Sequence, residues 1–202
     1  MKKMNLICRN RKNFLYNSTL LRYGINKNSE IRFQTDYAQF KAGNYKISGF
    51  NPLTVGTKLL ISEKKGILPQ TSFLFNLTLP YFGNKNLRPT NPAPLIYLLL
   101  QNDFTQKINV CYNLGLEYDG ESSIPNEFTA ICFGYNSTDR LSWFIENYNY
   151  FSDKIKPEYF IDFGIAYLFG KNIQIDLSGN NNLQNFEKYF MVGFGFSWRI
   201  PK

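Results

Sequence analysis

The sequence predicts an all-β fold, an up-and-down antiparallel transmembrane β-barrel with about eleven strands present of an expected total of about twelve. Three observations predict it. Apolar and polar residues alternate in one segment after another, no segment has the period of an amphipathic helix, and short connections alternate with longer ones. The alternation is clearest in YFMVGFGFSWRI at 189–200, where one face carries Phe190, Val192, Phe194, Phe196, Trp198 and Ile200.

The composition limits the class of protein. The chain has 202 residues, a length that suits one domain, with 23 Lys and Arg, 15 Asp and Glu, and no His. It has no run of about 18 apolar residues that would form a transmembrane helix, whereas a membrane barrel needs only every second residue to be apolar. Without His there is no Ser-His or Cys-His catalytic pair and no His-liganded metal, so we expect no enzyme activity and no cofactor. We interpret the formal charge of +8 as a solvated basic surface and expect no nucleic-acid partner.

The alternating segments are each about 8–13 residues long, which is close to the length of a membrane-crossing strand. In order they are 14–23, 30–37, 49–62, 70–79, 95–103, 107–119, 127–136, 141–150, 158–168, 172–179 and 189–200. If the first two pair Arg22 with Glu30, opposite charges lie directly across that hairpin. The segment at 95–103 is almost continuously apolar, so the pattern assigns it no face. The other segments place Ile, Val, Leu, Phe and Tyr opposite Gly, Ser, Asn and charged residues.

Two kinds of connection separate these segments. The short ones are predicted at 24–28, 63–69, 103–107, 137–140 and 169–171. The longer ones are predicted at 41–48, 80–94, 119–126, 151–157 and 179–188, the last of which contains an Asn-rich run at 180–185. Transmembrane barrels have tight periplasmic turns and longer extracellular loops, so the alternation favours that architecture.

The polar face carries ionised groups that a dry protein core would not accept without pairing. We therefore expect lipid against the apolar face and a water-filled lumen against the polar one. The candidate lumen-lining residues are Arg22, Glu30, Arg32, Asp36, Lys58, Glu117, Glu146, Asp162, Asp176 and Arg199.

The strand count also suggests an expectation about the start of the chain. Residues 1–13 are interpreted as a basic lead-in or loop remnant, and 14–202 as the barrel domain. Because bacterial barrels have an even strand number and a periplasmic N-terminus, we expect that one strand and a signal peptide precede this sequence.

Three stretches resemble a known family. These are TLLRYGI with EIRF (19–25 and 30–33), FIDFGIAYLFGKNIQIDLS (160–178) and the last strand. Over about residues 19–200 the chain is similar to outer-membrane transporter-like barrels of the phenol-degradation MetA-pathway family. The resemblance implies an outer-membrane location and passage of small aromatic or hydrophobic compounds. Trp198 to Ile200 also resembles the C-terminal signal that the barrel-assembly machinery reads.

Several functions remain open at this point. The leading hypothesis is passive transport by a barrel whose partners are outer-membrane lipid, the assembly machinery and an unidentified small solute. The alternatives are a non-conducting barrel plugged by its own charges, and a surface-binding protein that acts through loops 80–94 and 179–184. Acid–base chemistry by Asp162 and Asp176 is a remote third. Cys111 and Cys132 are expected to face inward and to lie nearly opposite each other, as thiols or as a disulfide.

Overall fold

The structure, a computed structural model, describes residues 12–42, 45–153, 155–185 and 190–201. The regular elements in these residues are β1 (Lys12–Asn26), β2 (Ser29–Ala42), β3 (Tyr45–Phe50), β4 (Thr54–Ser62), β5 (Gln70–Thr78), β6 (Ala93–Asp103), β7 (Ile108–Glu117), β8 (Asn126–Asn136), β9 (Leu141–Ser152), β10 (Ile155–Phe169), β11 (Ile173–Asn182) and β12 (Phe190–Trp198). The predicted all-β fold is therefore confirmed. Residues 1–11 of the predicted lead-in lie outside the described residues, and residues 12 and 13 belong to β1.

No helix in the described part of the chain is long and apolar enough to cross a membrane.

The strands form one up-and-down antiparallel sheet in the order β1-β2-β4-β5-β6-β7-β8-β9-β10-β11-β12. β3 pairs with the end of β2, and the Asn51 amide continues that ladder by donating to the Asp36 carbonyl oxygen at 2.7 Å. β3 and β4 thus lie on the same edge of β2 and together occupy one position, so the sheet has the predicted eleven positions. β1 and β12 end this order, and closure into a barrel stays a prediction.

The strand predicted at 49–62 is interrupted at residues 51–53. Pro52 is buried there and has no N–H to give to a ladder, which explains the break. The loop after β5 packs against the gap. Gly83 has a φ of 87°, and a Cβ on it would approach the Asn51 carbonyl group to 2.7 Å, so only glycine fits. The Asn84 amide then donates to the Phe50 carbonyl oxygen at 2.8 Å.

Three of the predicted long connections are wrong in extent, because the strands continue into them. Most of loop 41–48 is the β2–β3 hairpin, and most of loop 151–157 belongs to β9 and β10. β11 extends to Asn182, so Asn180, Asn181 and Asn182 are buried strand residues rather than loop residues. Asparagine is disfavoured in strands by propensity. At Asn180 a tertiary contact overrides that preference, since its Nδ2 donates to the Tyr148 hydroxyl at 2.6 Å.

The two faces of the sheet differ in exposure as the alternation predicts. Along β8, Ile131, Phe133 and Tyr135 are exposed, whereas Ala130 and Gly134, at alternate positions, are buried. The contrast is large: Phe194 is 73 % exposed, while the side chain of Arg32 is only 18 % exposed. We call the first the apolar face. The second is called the sheltered face; eight of the ten candidate residues are half-buried on it, whereas Arg22 and Arg199 are exposed.

The chain forms two compact units. One consists of Met1–Lys58, Phe75–Pro94 and Asp119–Ser123, and the other of Leu59–Leu74, Leu95–Tyr118 and Ile124–Lys202. Large apolar side chains are not collected into a central core in either. Among the described residues, no large side chain is less than 2 % exposed.

Candidate functional site: the sheltered face

Basic and acidic side chains meet on the sheltered face of the first unit. β1 and β2 place Arg22 directly opposite Arg32, and Glu30 opposite Gly24, so the predicted Arg22–Glu30 pairing is wrong. The turn occupies only residues 27 and 28 and not the predicted 24–28. The strand pairing therefore differs by two residues from the predicted register. Glu30 instead forms an ion pair along its own strand, with 3.6 Å between its Oε1 and Arg32 Nε. That contact offsets part of the repulsion between the two guanidinium groups.

Asp36 lies further along the same face and accepts two side-chain hydrogen bonds. The Ser18 hydroxyl donates to its Oδ1 at 2.6 Å, and the Gln34 amide nitrogen donates to the same atom at 3.3 Å. Lys58 is half-buried on β4. The sheltered face of this unit therefore carries three cationic and two anionic candidate residues, listed as Arg22, Arg32, Lys58, Glu30 and Asp36.

In the second unit, a transverse row of residues crosses six neighbouring strands. The registers place them directly opposite one another in the order Gln101, Cys111, Cys132, Glu146, Asp162 and Asn180. Directly opposite residues of an antiparallel pair share one face of the sheet, so these side chains lie side by side. The row brings together two of the ten candidate residues, Glu146 and Asp162.

The predicted pairing of Cys111 with Cys132 is confirmed, because the two are directly opposite in the β7–β8 ladder. The structure records both side chains as thiols, not as a disulfide. The Asn136 amide donates to the Lys107 carbonyl oxygen at 2.8 Å, so these two opposite residues form a hydrogen-bonded pair. Hydrogen-bonded and non-hydrogen-bonded pairs alternate along the ladder from that point. Cys111 and Cys132 consequently occupy a hydrogen-bonded pair, in which the side chains are further apart than in the other type. A disulfide needs Cβ atoms at about 3.5–4.5 Å, so this position is unfavourable for one.

The remaining three candidate residues lie apart from that row. Glu117 ends β7, where the Tyr97 hydroxyl donates a hydrogen bond to its Oε1. Asp176 is half-buried on β11 opposite Gly195. Arg199 follows β12 and is exposed, and its guanidinium donates to the Lys171 carbonyl oxygen at 2.8 Å.

A cluster of five aromatic rings on the sheltered face was not predicted from the sequence. We call it the aromatic cluster; its members are Tyr97, Phe128, Tyr148, Tyr150 and Phe160. The rings of Tyr97 and Phe128 are stacked with their centroids 5.0 Å apart, and those of Tyr148 and Phe160 are stacked at 4.9 Å. Phe128 lies 5.2 Å from Tyr150 and 6.2 Å from Tyr148, which joins the two stacks.

Counting every second residue from the carboxylates along each strand would have revealed the aromatic cluster. Tyr148 is two residues from Glu146, and Phe160 is two residues from Asp162, so each aromatic shares the face of the carboxylate. The sequence-based interpretation assigned large aromatic side chains to the lipid side and therefore overlooked those at inward positions. Toward one end of the strands, the sheltered face changes from charged to aromatic.

Gly115 makes the first stack possible. It lies between Tyr97 and Phe128 in the transverse pairing, with Tyr97 opposite it on one side and Phe128 on the other. The Tyr97 ring occupies the space where a Cβ of residue 115 would be. Only a residue without a side chain allows the two rings to meet over the strand between them.

Two further features concern metal and ligand binding. The described residues contain no group of three or more His, Cys, Asp or Glu side chains that could hold a metal ion. A groove of about 430 Å³ in the second unit is lined mainly by apolar-face residues, including Leu98, Leu114 and Leu116. Its lining places this groove apart from the carboxylates of the sheltered face.

Comparison with known proteins agrees with these observations. The sequence model of the family described as "Putative MetA-pathway of phenol degradation" matches residues 8–200. A search of curated proteins gives no match. Because the matched region covers almost the whole chain, this protein belongs to the family of the MetA pathway of phenol degradation.

Proposed function

We propose that the protein is a transmembrane β-barrel of the bacterial outer membrane that passively transports small aromatic or hydrophobic compounds. The observation that carries the proposal is the inverted exposure of the sheet. Phe190, Phe194 and Phe196 are exposed, whereas Arg32 and Asp162 on the opposite face are half-buried. Water on the apolar face would be unfavourable at about 25 cal/mol for each Å² of apolar surface, and lipid removes that cost.

The dimensions of the strands support a membrane location. β11 has 10 residues, which at about 3.3 Å per residue gives a strand of about 33 Å. At a tilt of about 35–45° such a strand spans about 25 Å, the height of the apolar band of an outer-membrane barrel. No large side chain is fully buried in the described part of the chain, which also fits lipid as the medium against which the apolar face packs.

The aromatic cluster supports an aromatic solute. A planar ring stacked on Phe128 or Tyr148 gains about 0.5–1.5 kcal/mol beyond its area burial. Polar atoms lie beside the rings, since Tyr97 bonds to Glu117 and Tyr148 accepts from Asn180. A solute with a ring and a hydroxyl group, the chemistry of a phenol, matches that combination. The family description names phenol degradation, which agrees with this choice.

The same proposal includes the partners and the absence of catalysis. Lipid would contact the apolar face, and the barrel-assembly machinery would insert the chain. The solute passes without reaction, so we propose no enzyme activity, cofactor or nucleic-acid partner. The sequence has no His for a Ser-His pair of the kind that outer-membrane hydrolases use.

Solute flux into liposomes tests the proposal with a matched pair of sugars. Phenyl glucoside and methyl glucoside are both neutral and cross lipid slowly, and only the first carries a ring. Liposomes containing the full chain should swell with both, and faster with phenyl glucoside than its size alone predicts. Phe128→Ala on the sheltered face should remove that preference. Phe133→Ala, the same substitution on the apolar face of the same strand, should leave it intact.

Two results would contradict the transport proposal. Swelling no faster than that of protein-free liposomes would show that the chain does not conduct these solutes. An equal preference in Phe128→Ala and Phe133→Ala would show that the aromatic cluster does not contact the solute.

A second candidate function, surface binding by a non-conducting barrel, is favoured by the order of one loop. In the first unit, the loop after β5 is tied to residues 119–123: Thr90 donates to Glu121 through its backbone amide and its hydroxyl, at 2.8 and 2.6 Å. The Asn91 amide donates to the Gly120 carbonyl oxygen at 3.0 Å. A pre-ordered loop loses little entropy on binding a partner. Deletion of residues 85–90 that abolishes binding to cells but leaves glucoside flux unchanged would support this function.

A further inference from the structure

We propose that Glu146, Asp162 and Asn180 form a binding site for a hard divalent cation, calcium, on the sheltered face of the second unit. The proposal does not depend on transport, because it concerns three side chains of the transverse row and their immediate surroundings.

The first observation is the direct opposition of two carboxylates. Glu146 on β9 and Asp162 on β10 are paired residues of the ladder, and both are half-buried. Like charges directly across a ladder destabilise it. In the part of the chain that the structure describes, neither carboxylate is recorded in an ion pair with Lys or Arg. Arg199, the one cationic candidate residue of this unit, bonds to the Lys171 carbonyl oxygen instead.

The second observation is independent of charge and concerns buried oxygen atoms. Asn180 is only 8 % exposed, and its Oδ1 is buried with no hydrogen-bond partner among the described residues. Asp162 Oδ1, on the residue directly opposite, is also buried and without a partner. Buried polar atoms are nearly always satisfied, so two adjacent unsatisfied acceptors indicate a missing donor or cation.

Within the described chain, the one side-chain hydrogen bond of Asn180 engages its nitrogen and not its oxygen. Its Nδ2 donates to the Tyr148 hydroxyl at 2.6 Å, so the nitrogen lies toward the aromatic cluster and the oxygen stays available as a ligand. The Leu183 amide donates to the Tyr159 carbonyl oxygen at 2.8 Å, and pair types alternate from there. Asp162 and Asn180 therefore form the closer, non-hydrogen-bonded type of pair, with Cα atoms about 4.5 Å apart.

The ligand types determine which cation fits. Two carboxylates and an amide oxygen are hard ligands that suit calcium or magnesium. Calcium tolerates irregular geometry and 6–8 oxygen ligands, so water can complete its coordination on the open side of the sheet. Zinc prefers nitrogen and sulfur ligands in four-coordinate sites, whereas the three proposed ligands all supply oxygen. We therefore expect selection of calcium over zinc.

Terbium luminescence tests the site, because terbium replaces calcium and is excited by a nearby tyrosine. Tyr148 contacts Asn180 and supplies that tyrosine. The full chain, refolded in detergent micelles, should give saturable terbium emission that calcium reverses and zinc does not. Asp162→Asn and Glu146→Gln should each weaken terbium binding by at least about tenfold, which corresponds to about 1.4 kcal/mol. The control is Asp176→Asn, a half-buried carboxylate of the same face outside the row, and its affinity should be unchanged.

A substitution that strengthens terbium binding separates the loss of a ligand from a failure of the variant to fold. Asn180→Asp adds a third carboxylate while keeping an acceptor for the Tyr148 hydroxyl, so it should strengthen terbium binding by about tenfold. Emission that does not saturate, equal affinity in Asp162→Asn and the unsubstituted chain, or weaker binding in Asn180→Asp would each overturn the proposal.

Discussion

Replacing Leu177 by Arg tests whether the apolar face contacts lipid. Leu177 is in the middle of β11, on the apolar face, and is 49 % exposed. If that face contacts water, the aliphatic part of Arg replaces most of the lost contact. The free energy of unfolding should then fall by less than about 1 kcal/mol. If it contacts the hydrocarbon of a bilayer, an Arg near the midplane should cost about 2–4 kcal/mol.

Ile173→Arg is the matched control. Ile173 begins β11 on the same face and is 37 % exposed, so its environment differs from that of Leu177 mainly in depth. Near the interface the cost of Arg falls to about 0–1 kcal/mol. The free energies of unfolding are measured by urea titration in phospholipid vesicles, with tryptophan fluorescence as the signal. Equal costs at the two sites, within about 0.5 kcal/mol, would refute a lipid-facing strand.

Two further predictions concern the second unit and the thiols. Gly115→Ala should destabilise the protein by about 1–3 kcal/mol in the same titration, because the new methyl group overlaps the Tyr97 ring. The control is Gly24→Ala, which has nothing within 4 Å of its Cβ position and should change stability little. Equal effects of the two substitutions would contradict the packing argument. Alkylation of denatured, non-reduced protein should label both Cys111 and Cys132, since the structure records them as thiols, and a linked peptide pair in the mass spectrum would show a disulfide instead.

Local alternation was sufficient to predict most of the strands and the faces of those that alternate. In the second half of β8 every second residue is exposed, so the pattern of apolar side chains identified both the strand and its apolar face. The pairing of Cys111 with Cys132 was also predictable, because the connection between β7 and β8 brings neighbouring strands together antiparallel. The resemblance to the MetA-pathway family, first inferred from three short stretches, extends over residues 8–200.

Registers and strand ends were not predictable, because they depend on contacts between distant residues. The two-residue turn at 27–28 put Arg22 opposite Arg32, which no alternation within a strand could reveal. The Asn-rich end of β11 has the composition of a loop, but contacts such as that of Asn180 with Tyr148 hold it in the sheet.

By itself, the sequence determined that the chain is all-β, which side of each alternating strand is apolar and that His-dependent chemistry is excluded, since these follow from residue type and a period of two. Only the tertiary structure decided which side chains meet across strands. It stacked Tyr97 on Phe128 over Gly115, and it placed Glu146 between Cys132 and Asp162. The physical reason is that a strand specifies its own faces locally, whereas its neighbours across the ladder are set by turn geometry and by packing summed over the whole sheet.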